Sequence, residues 1–359
     1  MSTNRVLSVL WVLVVSIASW CGTAHAADST KKAGPNAPVA RVADQRVTVT
    51  TPEGTGQLPV YADRPIDAPA SDVQRVLLIV HGTLRNADVY FESGREVVQG
   101  AGAAGQNTMI VAPQFLTSFD VTQFKLPPDT LAWTQEGWKG GSAARSPAPI
   151  SSFSALDALL EHFADRRLYP ALKTVVVAGH SAGAQVVQRY AVMGHGETML
   201  RERGIDVRYV VANASSYLYF DNQRPTQGTF QPADVAACPK VDQWKYGMND
   251  APAYVTSQPL DEVEARYAQR NVVYLLGMVD TNPYTHFIDR SCAGMAQGPY
   301  RLARGLSYFD YLKHRHAALA QHVVEVPGVG HDNRGMFTSA CGLAVLFGET
   351  VPSTCPQVQ

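Results

Sequence analysis

The 359-residue sequence contains little charge and almost no excess of either sign. Asp, Glu, Lys and Arg together make up 17% of the chain, and the formal net charge is −1. Proteins that bind nucleic acids or other polyanions usually carry a basic excess. The composition therefore predicts no nucleic-acid partner. The 46% share of hydrophobic residues is typical of an ordinary globular protein.

Long hydrophobic runs are absent apart from one at the N-terminus. Arg5 precedes an apolar stretch over residues 6–20, and Ala24-His25-Ala26 has the small residues of a cleavage site. The stretch is shorter than the roughly 20 residues that a membrane-spanning helix needs. The sequence therefore predicts a signal peptide over 1–26, a mature protein that is secreted or periplasmic, and no integral membrane segment after cleavage.

Cysteine is also scarce, with five residues in the chain. Cys21 lies within the predicted signal peptide, where a lipoprotein anchor is disfavoured because the residue before it is bulky. An even number of cysteines then remains in an exported protein, which favours disulfides, and four cysteines allow three pairings. Their spacings do not match a zinc site, so no metal is predicted. The preferred pairs are Cys238 with Cys292 and Cys341 with Cys355.

Residues 27–44 are polar and rich in Ala and Pro, which predicts a flexible leader. Residues 45–359 are predicted to form a single domain, because short β-branched runs alternate with amphipathic segments. Such alternation is typical of a doubly wound, mostly parallel sheet with helices on both faces. The predicted strands are 46–50, 56–62, 76–80, 108–112, 173–177, 207–211, 271–276 and 322–326. The predicted helices are 152–166, 185–193, 297–319 and 336–346. On the third helix, Arg301, Arg304 and Lys313 are expected to form a solvated face.

Two long stretches, 117–149 and 217–254, interrupt this alternation with Pro, Gly, Asn and aromatic residues. Long irregular excursions from a compact domain are often binding loops or lids. We therefore expect loop insertions at both places. Trp133, Trp138 and Tyr217 are candidates to line a substrate pocket there, although aromatic side chains beneath loops more often simply pack.

The stretch Gly179-His180-Ser181-Ala182-Gly183 lies between a predicted buried strand and a predicted helix. It matches the pattern G-x-S-x-G, in which a serine occupies a sharp strand-to-helix turn. Such a turn needs small neighbours because its backbone angles are strained and its elements approach closely. The following helix directs its free N–H groups toward developing negative charge. Ser181 is therefore predicted to be a nucleophile.

A serine hydroxyl needs a base to accept its proton, and the base needs an acid to orient it. His331 follows the last predicted strand and is the preferred base, with His286 as its chief rival. Asp280 follows the strand over 271–276 and is the preferred acid. Asp289 is the runner-up and Asp332 a more distant third. In open α/β sheets, ligands bind at this edge of the strands.

The negative charge that forms on an attacked carbonyl oxygen needs backbone N–H donors. One is predicted to be the N–H of Ala182, directly after the nucleophile. The other is expected in the loop that begins with His81 and Gly82, because glycine allows the backbone to face the substrate. Thr83 is the preferred second donor, and Leu84 is the alternative because the turn is not determined by sequence.

With Ser181, Asp280 and His331 in that chain order, and His81-Gly82 upstream, the sequence resembles the α/β-hydrolase superfamily over roughly residues 45–348. The resemblance implies an eight-stranded, mostly parallel sheet with helices on both faces. It also implies a Ser-His-Asp triad, hydrolysis through a covalent acyl-enzyme, and no cofactor. Within the superfamily the chain is similar to secreted esterases, lipases and polyester depolymerases, in which Gly-His-Ser-Ala-Gly is common.

The resulting hypothesis is a secreted carboxylic-ester hydrolase that acts on a small-molecule or polymeric ester. Amide or peptide hydrolysis uses the same residues and stays open, although no residue clearly provides a site for a charged peptide terminus. A non-catalytic binding module of the same fold is the third possibility. It would be expected to lack one member of the triad, and here all three are present.

Overall fold

A nine-stranded sheet forms the centre of the protein, seen here in a computed structural model that describes residues 34–358. The predicted signal peptide lies outside these residues. The sheet has the order β1-β2-β4-β3-β7-β8-β11-β12-β13. Its strands are β1 (Gln45–Thr51), β2 (Gly54–Ala62), β3 (Arg75–Val80), β4 (Thr108–Pro113), β7 (Thr174–His180), β8 (Asp206–Ala212), β11 (Val272–Gly277), β12 (His322–Val326) and β13 (Gln357–Val358). The shorter strands β5 (Leu116–Thr117), β6 (Ala132–Trp133), β9 (Gln223–Thr226) and β10 (Thr229–Pro232) form two separate pairs.

The six strands from β4 to β12 in this order are parallel, and the edges are antiparallel. The predicted doubly wound, mostly parallel sheet is therefore confirmed. The sheet has one strand more than the eight expected. The extra strand is β13, whose Gln357 and Val358 pair with Val324 and Val323 of β12. Two residues at the end of a chain carry too short a pattern to predict a strand.

Helices cover the sheet, and the sheet divides the hydrophobic core into two layers. Alternate residues of β3 point into opposite layers: Val76 and Leu78 into one, Leu77 and Ile79 into the other. Burial on both faces explains why these strands are continuous hydrophobic runs. The helices are α1 (Ala87–Gly100), α2 (Ser118–Phe124), α3 (Ser152–Ala164), α4 (Ala182–Met193), α5 (Gly196–Glu202), α6 (Ala253–Thr256), α7 (Leu260–Ala268), α8 (Cys292–Met295), α9 (Arg301–Arg315), α10 (Asn333–Thr338) and α11 (Ala340–Phe347). No helix within residues 34–358 is both long and apolar enough to span a membrane.

The two expected insertions contain short elements as well as irregular chain. The first includes α2, β6 and a 3-10 turn over Gly137–Gly140, and the second includes the hairpin of β9 and β10. Two disulfides join the preferred pairs, Cys238 with Cys292 and Cys341 with Cys355. The first disulfide ties the second insertion to α8.

The segment over residues 35–43 packs against the domain, although it falls in the predicted flexible leader. The N–H of Val39 donates to Asp120 Oδ1 at 2.8 Å, and the N–H of Ala43 donates to Gln114 Oε1 at 2.9 Å. Both backbone groups are bound to buried side chains from other elements. Residues 35–43 of the predicted leader therefore have specific partners in the domain, which polar composition alone does not reveal.

Candidate active site

Ser181 lies at the turn between β7 and α4. Its backbone angles are φ 60° and ψ −118°, a combination that residues with a side chain rarely adopt. A Cβ atom on Gly179 would lie 2.4 Å from the carbonyl carbon of Gly183, and one on Gly183 would lie 2.1 Å from the oxygen of Val80. The close approach of strand, turn and helix therefore requires both glycines of the pattern.

The structure brings Ser181, His331 and Asp280 together at the C-terminal edge of the parallel strands. Nε2 of His331 lies 2.9 Å from Ser181 Oγ, and Nδ1 of His331 lies 2.7 Å from Asp280 Oδ2. An ionised carboxylate can only accept hydrogen bonds, so Nδ1 donates to Asp280. Nε2 of the neutral imidazole then accepts from the Ser181 hydroxyl. Asp280 follows β11 and His331 follows β12, so loops from neighbouring strands bring them together.

The alternative acid and base residues make other contacts. Asp289 accepts hydrogen bonds from the hydroxyls of Tyr246 at 2.6 Å and Ser291 at 2.7 Å. Asp332 accepts from two backbone N–H groups in the first turn of α10. His286 is exposed. Among residues 34–358, no group of three or more His, Cys, Asp or Glu side chains is arranged to hold a metal ion.

Burial keeps the two histidines beside Ser181 in their neutral forms. It lowers the pKa of His331 below the ordinary 6.5; the hydrogen bond to Asp280 opposes this shift, and the charge of Arg301 adds to it. The His180 ring centre lies 4.5 Å from that of His331. Burial, His331 and Arg301 hold the pKa of His180 well below 6.5. A neutral His331 can accept a proton near pH 7.

Arg301 belongs to the site, although the sequence predicts it on a solvated face. It is fully buried, and Nη1 lies 3.5 Å from Asp280 Oδ1 and 2.7 Å from the hydroxyl of Thr285. Arg304 is also fully buried, so the prediction of a solvated face is wrong for both arginines. Both arginines share the inner face of α9 with Tyr308, but this helical spacing alone does not distinguish a buried arginine from a solvated one.

Asn213 connects the two loops that carry Asp280 and His331, and no pattern in the sequence predicts this role. Its Oδ1 accepts from the N–H of Gly277 at 2.8 Å, and its Nδ2 donates to the carbonyl of Gly330 at 3.0 Å. Asn213 is fully buried directly after β8 and has a φ of 51°, which asparagine tolerates better than most residues. One side chain thus fixes the separation of the two loops.

Comparison with known families identifies the fold. A family model described as "Alpha/beta hydrolase family" matches residues 76–343, which include all three converging side chains. The chain belongs to the alpha/beta hydrolase family. A search of curated proteins finds no match.

Solved structures agree with this family assignment. The alpha/beta hydrolase is similar to poly(aspartic acid) hydrolase-1 from Sphingomonas sp. KT-1, with 23% identity, a TM-score of 0.55 and coverage of 84% of this chain and 96% of that one. It is also similar to LpqC, a poly(3-hydroxybutyrate) depolymerase from Bordetella parapertussis, with 18% identity, a TM-score of 0.57 and coverage of 86% and 93%. At these identities the likeness shows the fold alone. The family itself supports a hydrolase.

The loop after β3 is held rigidly in this alpha/beta hydrolase. Nδ1 of the buried His81 lies 2.9 Å from the Gly82 carbonyl, and Nε2 accepts from the N–H of Phe115 at 3.0 Å. Burial lowers the pKa of His81 to about 4. Gln135 donates to the carbonyl of Thr83 at 3.0 Å. Thr83, the preferred second oxyanion donor, therefore lies in a loop fixed on both sides, and Ala182 begins α4.

The three aromatic residues predicted to line a pocket lie in the hydrophobic core of the hydrolase instead. Trp133 donates to the Ile150 carbonyl at 3.1 Å, the ring of Trp138 lies 4.7 Å from that of His81, and Tyr217 stacks on Tyr308 at 4.8 Å. Their exposed fractions are at most 1%. This prediction is wrong because the insertions fold so that all three rings are buried in the core. There the rings support the site by packing, with Trp138 directly against His81.

Proposed function

We propose that this alpha/beta hydrolase is an exported serine hydrolase that cleaves carboxylic esters. The observation that carries the proposal is the continuous contact from Ser181 through His331 to Asp280, with both distances below 3 Å. Two disulfides favour an oxidising compartment and so support export. Ser181, His331 and Asp280 serve as nucleophile, base and acid.

The reaction follows from the protonation states at this site. His331 accepts the proton of Ser181 as the hydroxyl oxygen attacks the ester carbonyl, and Asp280 stabilises the resulting imidazolium. The N–H groups of Ala182 and Thr83 bind the negatively charged oxygen of the tetrahedral intermediate. His331 then protonates the departing alcohol, which leaves an acyl group on Ser181. Water, deprotonated by His331, attacks this acyl-enzyme; the bond between the acyl carbon and Ser181 Oγ then breaks, the carboxylic acid leaves, and His331 returns the proton to Ser181.

The first experiment replaces Ser181 by alanine in the mature protein. We expect the rate with p-nitrophenyl esters of increasing chain length to fall roughly 10³-fold or more, because the nucleophile is lost. Ser154→Ala on α3 is the matched control and should retain wild-type rates. Equal rates for wild type and Ser181→Ala would refute the mechanism. Polymeric esters belong in the same assay, since both neighbours described above are named for polymer substrates. A p-nitroanilide series measures amide cleavage alongside.

The second experiment separates the two candidate acids. Asp280→Asn should lower kcat by roughly 10²-fold to 10⁴-fold, because His331 then loses the carboxylate that fixes its tautomer. Asp289→Asn should retain most activity, because Asp289 contacts Tyr246 and Ser291 instead. The larger loss at Asp289 would reassign the acid. Circular dichroism of both variants checks that the fold is intact.

A further inference from the structure

A polar cavity of about 280 Å³ lies beside the N-terminal half of α4. Gln185 lines it, and its N–H donates to the carbonyl of Ser181, so the backbones of the two residues are separated by one helical turn of about 6 Å. Ser215, just beyond β8, lines the same side and accepts from Gln185 Nε2 at 2.8 Å. We call this cavity the basic pocket. Its charged lining residues are Glu136, Lys139, Lys245, Asp289 and Arg290.

Positive charge exceeds negative charge at the basic pocket. Lys139 and Lys245 share a single partner, Glu136, which contacts both ammonium groups. Arg290 lies over the Tyr284 ring and forms no ion pair with a carboxylate within residues 34–358. The chain as a whole has a formal net charge of −1, so this excess is local.

A fourth cation lies beneath the pocket. Arg189 is fully buried, and burial lowers its pKa to about 10, so it stays charged at neutral pH. It donates to the carbonyl oxygens of Lys139 at 2.9 Å and Lys245 at 3.3 Å, and to Gln185 Oε1 at 3.1 Å. Its fourth acceptor, the hydroxyl of Ser216, is neutral as well. All four acceptors are neutral, and the carboxylates of Asp289 and Glu136 act on Arg189 without accepting a hydrogen bond from it, so a bound anion would stabilise the buried cation further.

A second cleft, lined by residues next to His331, has the reverse charge. This cleft is larger, about 810 Å³, and begins at Asp332. Two arginines and five carboxylates line it, and the carboxylates are Asp44, Asp88, Glu92, Glu96 and Asp332. An anionic group of a substrate is therefore favoured in the basic pocket and disfavoured in this cleft.

We propose that the basic pocket binds a carboxylate carried by the substrate, and that the preferred substrates of this hydrolase are anionic esters. The inference rests on the proposed function. A carboxylate matches the pocket because ammonium, guanidinium and amide groups there all donate hydrogen bonds. The separation of one helical turn between Ser181 and Gln185 suits a spacer of a few methylene groups between the carboxylate and the cleaved ester. The pocket would thereby orient the ester as well as select it.

The test compares an anionic ester with its neutral counterpart. Mono-p-nitrophenyl adipate and its methyl ester differ only in whether the distal carboxyl is charged, and p-nitrophenol release reports one bond in both. We expect the wild type to favour the anion about tenfold in kcat/KM at low ionic strength, with the preference decreasing as NaCl is added. For a carboxylate on the alcohol side, 6-butyryloxyhexanoate and its amide are compared by pH titration of the released acid.

Two variants change the preference in opposite directions. Lys245→Gln should lower the anion-to-neutral ratio about tenfold, and Glu136→Gln should raise it several-fold because both lysines lose their carboxylate partner. Lys240→Gln is the matched control, since Lys240 is exposed and lies outside the basic pocket. Melting temperatures check folding. If a variant does not fold, inhibition of the wild type by monomethyl adipate and by dimethyl adipate gives the same comparison, and only the anion should compete.

The outcomes separate this proposal from the proposed function. A wild-type ratio near one for both ester pairs, or an unchanged ratio in Lys245→Gln, would overturn the basic pocket while leaving the hydrolase intact. Equal rates for wild type and Ser181→Ala on every ester would instead remove the proposed function on which the pocket depends.

Discussion

Arg301 is a single side chain with two effects on the candidate site. It contacts Asp280 and also contributes a positive charge that lowers the pKa of His331, although burial is the larger cause. Under the proposed mechanism neutral His331 is the active form, so activity falls as the pH decreases through this lowered pKa. The acidic limb of the pH profile should therefore lie below the ordinary histidine value of 6.5.

Replacing Arg301 by methionine tests this effect. The pKa of His331 should rise once the charge is removed, so the acidic limb of kcat/KM should move to higher pH. For each protein, kcat/KM at pH 6 is divided by its own maximal kcat/KM. This fraction should be about threefold smaller in the variant than in the wild type. Arg304→Met removes another buried arginine from α9 and should leave the limb in place. Identical midpoints in wild type and Arg301→Met would contradict the electrostatic role.

Sequence could identify Ser181, Asp280 and His331 because each has a local signal: a small-residue turn, or a polar residue directly after a buried strand. Arg301 and Asn213 carry no such signal. Arg301 contacts Asp280, which lies 21 residues away in the sequence, and Asn213 contacts Gly277, which lies 64 residues away. A buried arginine and a solvated one also look the same within a helical pattern. The roles of such residues depend on tertiary contacts, and periodicity alone does not reveal them.

At the scale of elements, the sequence predicts eight strands of the central sheet to within a few residues, whereas it misses the short strands and places several helices wrongly. The helix expected over 297–319 begins only at Arg301, because Gly298 has a φ of 140° and a proline follows it. The helix expected over 336–346 is two helices, since Ser339 caps the second by accepting from the Gly342 N–H. Capping residues and glycines with positive φ end a helix, although the hydrophobic pattern of the sequence continues through them.

The segment 35–43 connects the N-terminal part of the domain to the loop after β3. Arg85, fully buried next to Asp120, donates to the carbonyls of Pro35 at 2.6 Å and Ala37 at 2.7 Å. Arg85 also donates to Gln135, which in turn donates to Thr83. The segment is therefore part of the support for the proposed oxyanion loop.

Removing residues 27–43 should weaken both stability and activity. Arg85 would lose two carbonyl acceptors, and hydrogen bonds to charged groups each contribute roughly 1.5–3 kcal/mol. We expect the free energy of unfolding to fall by about 3 kcal/mol and kcat to fall several-fold, as measured by urea unfolding and ester hydrolysis. A chain that starts at Gly34 keeps all of these contacts and serves as the control. Equal stability of the two shortened proteins would exclude the role.

At the scale of the whole molecule, buried neutral histidines make the fold sensitive to acid. His81 uses both ring nitrogens in its neutral form, one toward the Gly82 carbonyl and one accepting from the Phe115 N–H. Its pKa is about 4 in the folded protein against an ordinary 6.5. Between these values the unfolded chain binds a proton that the folded protein does not. The contribution of neutral His81 to the free energy of unfolding is therefore fully present above pH 6.5, and it decreases as the pH falls toward 4.

Urea unfolding between pH 7 and pH 4 measures this dependence. His81 alone should remove up to about 3 kcal/mol over the window, and His180 should add to the loss in the same direction. His81→Asn should show a shallower decrease with falling pH, whatever its stability at pH 7. His286→Asn, at an exposed position, should retain the wild-type slope. A wild-type protein equally stable at pH 7 and pH 4 would contradict the prediction.

The two residues of β13 have a consequence for the behaviour of the protein in concentrated solution. β12 is the last parallel strand, and Val323, Val324 and Glu325 on its outer side are paired by residues 356–358. An uncovered strand of this kind offers unpaired backbone groups to other molecules and favours aggregation. The Cys341–Cys355 disulfide holds this covering segment close to α11. Reduction would therefore loosen the cover of the sheet edge, so that the reduced protein would self-associate before it lost its fold.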